Sequence, residues 1–207
     1  MPTLNQSEVA TAAAAVIRAG GVVAFPTDTF YGLGVDPFNE RAVASLFAAK
    51  GRAPDSPVPV LIADSSDLKK IASSVPAGAE ALAETFWPGA LTLVLKAVDG
   101  LPGLVSAGTG TVGVRVPDHD TPRAIAGVLN GPITGTSANR SGDPPMKSAG
   151  DVKAAMGDAV ELVLDGVCGA HVTPSTVVDF TTEPPRVVRQ GAVSLEAIQR
   201  VCSDVRG

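Results

Sequence analysis

The 207-residue chain is short of aromatic side chains, histidine, cysteine and positive charge, and each shortage excludes something. Aromatics make up 4% of the residues, so Ala, Val and Leu have to build the core. Cysteine occurs twice, at Cys168 and Cys202, with no CxxC spacing. That reads as two small buried or half-buried thiols, not as a disulfide framework or a zinc site. The two histidines, His119 and His171, stand in loop-like settings with no second ligand nearby and read as surface residues. There is no G-x-S-x-G elbow and no Ser-His-Asp order, which leaves covalent catalysis without support. No G-x-x-x-x-G-K-[ST] run is present, so phosphates are not held by a P-loop. Lys and Arg number 16 against 21 Asp and Glu, a net charge of −5 with a pI near 5.0. A broad nucleic-acid-gripping face needs a basic excess, so any such grip must come from a local patch. No apolar run approaches the roughly 20 residues of a membrane span, and the N-terminus shows no charged-then-apolar leader. The expected location is therefore the cytoplasm, with no membrane contact. The Asn139-Arg140-Ser141 glycosylation match is idle there.

What is present belongs to one ordinary globular domain: 45% hydrophobic and 18% charged residues. The periodicity predicts helices over Ser7–Gly20 (Ser7 as N-cap), Asn39–Lys50, Ser66–Ala72, Ala77–Phe86, Pro122–Leu129, Ser148–Met156 and Ser194–Val201. Ser148-x-x-Asp151 gives the sixth a capping-box start. Short apolar or alternating runs predict strands over Gly21–Phe25, Val58–Ile62, Leu91–Leu95, Val112–Val116, Ile133–Thr136, Val160–Leu164, Thr176–Phe180 and Arg186–Val188. Helices and strands intermingle, and some strands follow one another directly, so the expected class is α/β with a mixed sheet.

Gly108-Thr109-Gly110-Thr111-Val112-Gly113 satisfies G-x-G-x-x-G. A dinucleotide fingerprint opens a helix, whereas this one leads into the alternating Val112–Pro117, so it reads as a glycine-rich turn before a strand. More telling are hydroxyls and isolated cations at the ends of predicted strands. Pro26-Thr27-Asp28-Thr29-Phe30-Tyr31-Gly32-Leu33-Gly34 leaves a buried strand. Lys50-Gly51-Arg52 places two cations at a helix end. Arg115 interrupts an apolar strand, and a buried cation there needs a counter-ion. Thr136–Asn139, Ser175–Asp179 and Arg189–Gly191 flank other strands. Singly, Lys50 and Arg52 also read as solvated helix-end charges, and Thr29 or Asn139 as turn residues. Jointly they describe a cavity for a polyanion.

These residues, with Phe86–Thr92, Val114–Pro117 and Ser137–Gly142, closely resemble the YrdC family, the threonylcarbamoyl-AMP synthases. The resemblance covers about residues 7–200. It implies a single α/β domain with flanking helices around a large open cavity. It also implies synthesis of threonylcarbamoyl-AMP and pyrophosphate from L-threonine, bicarbonate and ATP, for tRNA threonylcarbamoyladenosine modification. By position, Lys50 and Arg52 carry the catalytic role. Thr29, Arg115 and Ser175 would contact threonine or its carbamate. Lys50, Arg52, Ser56, Thr111, Ser137, Asn139 and Arg189 would contact ATP, whose phosphates would carry Mg²⁺ without a dedicated protein cage. A downstream threonylcarbamoyl transferase is the implied partner, and tRNA or double-stranded RNA binding goes with it. Leu61, Ser56 and Pro145 depart from residues common in relatives, and the extra C-terminal domain of longer synthases is not expected. The alternative within the same resemblance is a paralogue that binds nucleotide or double-stranded RNA without synthase activity. The YrdC-like module of hydrogenase-maturation carbamoyltransferases is a more distant reading.

Overall fold

The computed structural model describes residues 5–169 and 173–207, so His171 lies outside the described residues. Helices α1 (Gln6–Arg18), α2 (Glu40–Lys50), α3 (Ala77–Phe86), α4 (Gly103–Ser106), α5 (Asp120–Leu129), α6 (Ala149–Met156) and α7 (Leu195–Val201) surround two sheets. The strands are β1 (Val23–Pro26), β2 (Tyr31–Gly34), β3 (Val60–Leu61), β4 (Leu91–Lys96), β5 (Thr111–Arg115), β6 (Ile133–Thr134), β7 (Thr136–Ser137), β8 (Leu162–Val163), β9 (Thr176–Asp179) and β10 (Arg186–Arg189). One sheet runs β7-β2-β1-β8 and the other β10-β9-β4-β5-β3-β6. Both mix parallel and antiparallel pairs, as β1 with β8 and β2, or β4 with β9 and β5. The α/β class with flanking helices is as expected, but the strands divide between two sheets.

The helices form where local signals agree. Asn5, not Ser7, caps α1: its side chain accepts from Glu8 N at 3.0 Å while Glu8 Oε2 accepts from Asn5 N at 2.8 Å. Ala10, Ala13, Ala14 and Ile17 then form its buried stripe. Helix α2 starts at Asn39 and stops at Gly51, whose φ of 57° is left-handed. Ser148 caps α6 as expected, accepting from Asp151 N at 3.1 Å. Helix α5 begins two residues before Pro122, because His119 caps it through Nδ1 on Thr121 N at 3.2 Å. His119 is thus a half-buried cap and not a surface residue.

Three strand expectations change for physical reasons. Tyr31–Gly34, read in the sequence only as part of the segment that leaves the first strand, pairs antiparallel with β1 because the sharp bend falls earlier, at Asp28–Phe30. The predicted strand over 133–136 breaks at Gly135, leaving β6 in one sheet and β7 in the other. Gly135 is required there, since a Cβ would lie 2.4 Å from the Leu61 side chain. Predicted strand 160–164 narrows to β8, and the predicted helix over 66–72 is a tighter 3-10 segment, Ser65–Lys70. The short helix α4 carried no signal that the periodicity resolved.

The larger core lies around the central strands β4 and β5, with Leu91, Leu93, Leu95, Val112 and Val114 buried. A smaller core packs α1 and α5 against both sheets, through Ile17 and Ile125 on the helices, Phe25 on β1 and Ile133 on β6. Because residues 133–137 pass from one sheet to the other, the edges of both come together beside Gly135, and a cavity opens there.

Candidate active site

The cavity holds about 480 Å³ and collects residues from both sheets. Of the residues singled out in the sequence, Thr29, Arg52, Thr111, Arg115, Ser137, Ser175 and Arg189 line it. Lys50, Ser56 and Asn139 do not. Among the described residues, every charged residue in its lining is an arginine (Arg52, Arg115 and Arg189), although the chain as a whole is acidic.

The arginines are held by carbonyls and hydroxyls. Arg52 Nε donates to Ser56 O at 3.2 Å and Nη2 to Pro57 O at 2.8 Å. Its guanidinium carbon lies 6.0 Å from the Phe47 ring centroid. Arg189 donates through Nε and Nη2 to Ser175 O, at 3.1 and 2.9 Å, and through Nη2 to Ser175 Oγ at 3.0 Å. Ser175 Oγ in turn lies 2.8 Å from Thr92 Oγ1, so Arg189, Ser175 and Thr92 form one chain of contacts. Gly191 makes this possible: a Cβ there would lie 2.3 Å from Pro174 O, so only glycine lets the end of β10 wrap the start of β9. Partial burial pulls the Arg52 and Arg189 guanidiniums below their ordinary pKa values, which raises the benefit of an arriving anion.

Arg115 is the deepest of the three. Its Nε donates to Gly89 O at 2.7 Å and its Nη2 to Asp28 Oδ2, the counter-ion expected for a cation inside an apolar strand. Burial lowers its pKa, and Asp28 opposes that. Asp28 and Arg115 also line a recess of about 80 Å³ that shares Thr29, Leu61 and residues 135–137 with the cavity. Leu61 sits beside Arg115 by register, so its apolar side chain closes this corner.

Lys50 lies behind the wall. Its Nζ donates to Ser137 O at 2.5 Å, Asn139 O at 2.9 Å and Asn139 Oδ1 at 3.4 Å, and its own carbonyl accepts from Ser141 N at 2.8 Å. Asn139 spends its remaining capacity inside the same loop, on Arg140 O, Asp143 O and the Ser137 hydroxyl. Burial first, and then Arg52, push the Lys50 pKa down to about 8. Ser56 enters the site only through its backbone, as an acceptor for Arg52.

Two residues of the site were read in the sequence without a role. Thr92 lines the cavity and completes the Ser175 contact, and Asp28 neutralises Arg115. A signal for Asp28 existed: a carboxylate leaving a buried strand and a lone strand cation are natural partners. Among the described residues no group of three or more His, Cys, Asp or Glu side chains is placed to hold a metal ion. No helix among them is long and apolar enough to cross a membrane.

Residues 15–191 match the Sua5/YciO/YrdC family model, described as telomere recombination. The threonylcarbamoyl-AMP synthase of Pyrococcus abyssi is 41% identical over 194 residues, 94% of this chain and 57% of that protein. The putative threonylcarbamoyl-AMP synthase of Mycobacterium tuberculosis is 41% identical over 198 residues, 95% of this chain and 90% of that one. The chain therefore spans little more than half of the archaeal relative and nearly all of the mycobacterial one. Among solved structures, P. abyssi Sua5 complexed with L-threonine superposes with a TM-score of 0.92 at 38% identity, covering 99% of this chain and 60% of that one. E. coli YciO does so with a TM-score of 0.83 at 26% identity, covering 95% and 96%.

Proposed function

The chain belongs to the Sua5/YciO/YrdC family, and on that premise we propose that it is an L-threonylcarbamoyladenylate synthase. Threonine and bicarbonate condense to a carbamate with loss of water. A carbamate oxygen then attacks the α-phosphorus of ATP, and the bond to the β-phosphate breaks to release pyrophosphate. Such a transfer needs alignment and neutralisation of spreading negative charge more than it needs a covalent nucleophile. The observation that carries the reading is the cavity itself: in a net-acidic chain, its charged lining among the described residues is three arginines and no carboxylate.

In this reading Arg52 neutralises the departing pyrophosphate, because a guanidinium pairs with phosphate oxygens in a planar fork. Thr111, Ser137 and Arg189 contact the nucleotide. Thr29, Arg115 and Ser175 contact threonine or its carbamate. Lys50 and Asn139 act one layer back, by fixing the loop that presents Ser137, and Ser56 acts by holding Arg52. The described residues offer no cluster to hold magnesium, so the metal would be held by the nucleotide phosphates and would supply further neutralisation. The product passes to a downstream transferase that modifies tRNA adenosine in the cytoplasm. Direct contact with tRNA falls to the exposed cations near the loop, such as Arg140.

The test is pyrophosphate release from ATP and bicarbonate, with and without L-threonine. Threonine-dependent release is expected. Release of phosphate alone, or equal release with no amino acid, removes the reading.

A further inference from the structure

The glycine-rich turn before β5 sets the direction of one hydroxyl in the cavity. Gly108 and Gly110, left-handed with φ of 75° and 70°, turn the chain so that Thr109 folds back on the first residue of β5. Thr109 Oγ1 donates to Ser106 O at 2.6 Å. A hydroxyl has one proton and a carbonyl can only accept, so that proton is committed. Thr109 Oγ1 also lies 2.7 Å from Thr111 Oγ1, and it accepts from Thr111 N at 3.3 Å. In the 2.7 Å contact Thr111 is therefore the donor. Its hydroxyl keeps only lone pairs for whatever enters the cavity.

Thr111 stands at the end of the cavity away from Arg115. Thr111, Gly113 and Arg115 line it from alternate positions of β5, which sets Thr111 about 13 Å along the strand from Arg115. Between them lie Gly113 and its register partner Val94. Pro59 stands close over Gly113, where a Cβ would lie 3.6 Å from Pro59 Cβ. Such a bare, apolar strip suits the flat face of a purine and leaves the charged groups to the arginines. A ring edge that reaches Thr111 must then bring a hydrogen-bond donor. Position 6 of adenine carries an amine, whereas position 6 of guanine or hypoxanthine carries a carbonyl, which would set lone pair against lone pair. Resting on the synthase reading, we propose that Thr109 fixes Thr111 as an acceptor and thereby selects ATP over 6-oxopurine nucleotides. Thr111 touches the base, and Thr109 is a positioning residue that acts through it.

The experiment measures binding of ATP and of inosine triphosphate to the intact chain by calorimetry, beside threonine-dependent pyrophosphate release from each. The wild-type protein should favour ATP by about thirtyfold or more, the range for a site whose polar groups are left opposed or unpaired by the wrong ligand. Thr109→Val keeps the side-chain shape and frees the Thr111 proton. The preference should then fall to about threefold or less, mainly because inosine triphosphate binds more tightly. Thr109→Ser keeps the hydroxyl and should retain the wild-type preference. Equal weakening of both nucleotides in Thr109→Val overturns the proposal, because the turn then acts only as structure. A wild-type preference below threefold overturns it too. If Thr109→Val does not fold, Thr111→Val decides: it should erase the preference by weakening ATP, and a preference kept there overturns the proposal. Threonine-dependent release that treats both nucleotides alike removes only this inference. A nucleotide preference without threonine-dependent release removes the synthase reading instead.

Discussion

Lys50 and Asp28 are equally buried, each 2% exposed, and both border the cavity region, yet their surroundings differ sharply. Lys50 gives its ammonium protons to oxygens of the 137–139 turn and receives Ser141 N on its own carbonyl. Asp28 gives one oxygen to Arg115 and keeps the other unpaired. A satisfied buried charge holds structure together, whereas a half-satisfied one carries a desolvation cost that its single partner only partly offsets. The same contrast separates Lys50 from Arg52, two residues along the chain. Arg52 lines the cavity, and Lys50 ties down its wall.

The strongest way to break the contrast is Arg115→Ala, which leaves Asp28 buried without a counter-ion. Loss of about 3–5 kcal/mol of stability is expected, as for other broken buried pairs, together with loss of pyrophosphate release. Chemical denaturation measures the first, and an unchanged midpoint would show that the Arg115–Asp28 pair does not support the fold.

Arg52→Ala removes a cavity donor without orphaning a buried group. It should lower kcat/KM about a hundredfold or more while the unfolding midpoint stays close to wild type. Steady-state kinetics beside a thermal melt separates the two effects.

Lys50→Met should behave in the opposite way. Its loss strands the carbonyls of Ser137 and Asn139, costing about 1–3 kcal/mol of stability, with the fall in activity following the disordered loop. A hundredfold activity loss in a fully stable variant would instead move Lys50 to the phosphates.

The most gradual effect is on pH. The Lys50 pKa near 8 in the fold lies below the ordinary 10.5, so between these values the unfolded chain binds the extra proton. Stability should therefore rise with pH from about 8 to 10.5, by at most about 1.4 kcal/mol per pH unit from this group. Subtracting the pH profile of Lys50→Met isolates that slope. Identical profiles would show that the amine titrates normally.

Much of the fold was legible from local pattern. Helix α3 falls on the predicted residues, and α2 falls there with its Asn39 and Gly51 caps, because the signals that start and stop a helix lie within a few residues of it. The division of strands between two sheets was not legible. It depends on Gly135 meeting Leu61, 74 positions earlier in the chain. In the site, the cavity-facing arginines were legible as isolated cations: Arg52 past a helix end, Arg115 in an apolar strand and Arg189 at a strand end. The difference between Lys50 and Arg52 was not, since both read as cations beside Gly51.

The sequence by itself determined the α/β class, the main helices, the family and the set of polar residues that the cavity draws on. Composition, periodicity and short motifs carry those, and all of them are local along the chain. Only the tertiary structure decided which of those residues line the cavity, and that Asp28 meets Arg115 across 87 positions. Burial and hydrogen-bond satisfaction are properties of space, because low-dielectric surroundings and partners come from segments that meet only when the chain has folded.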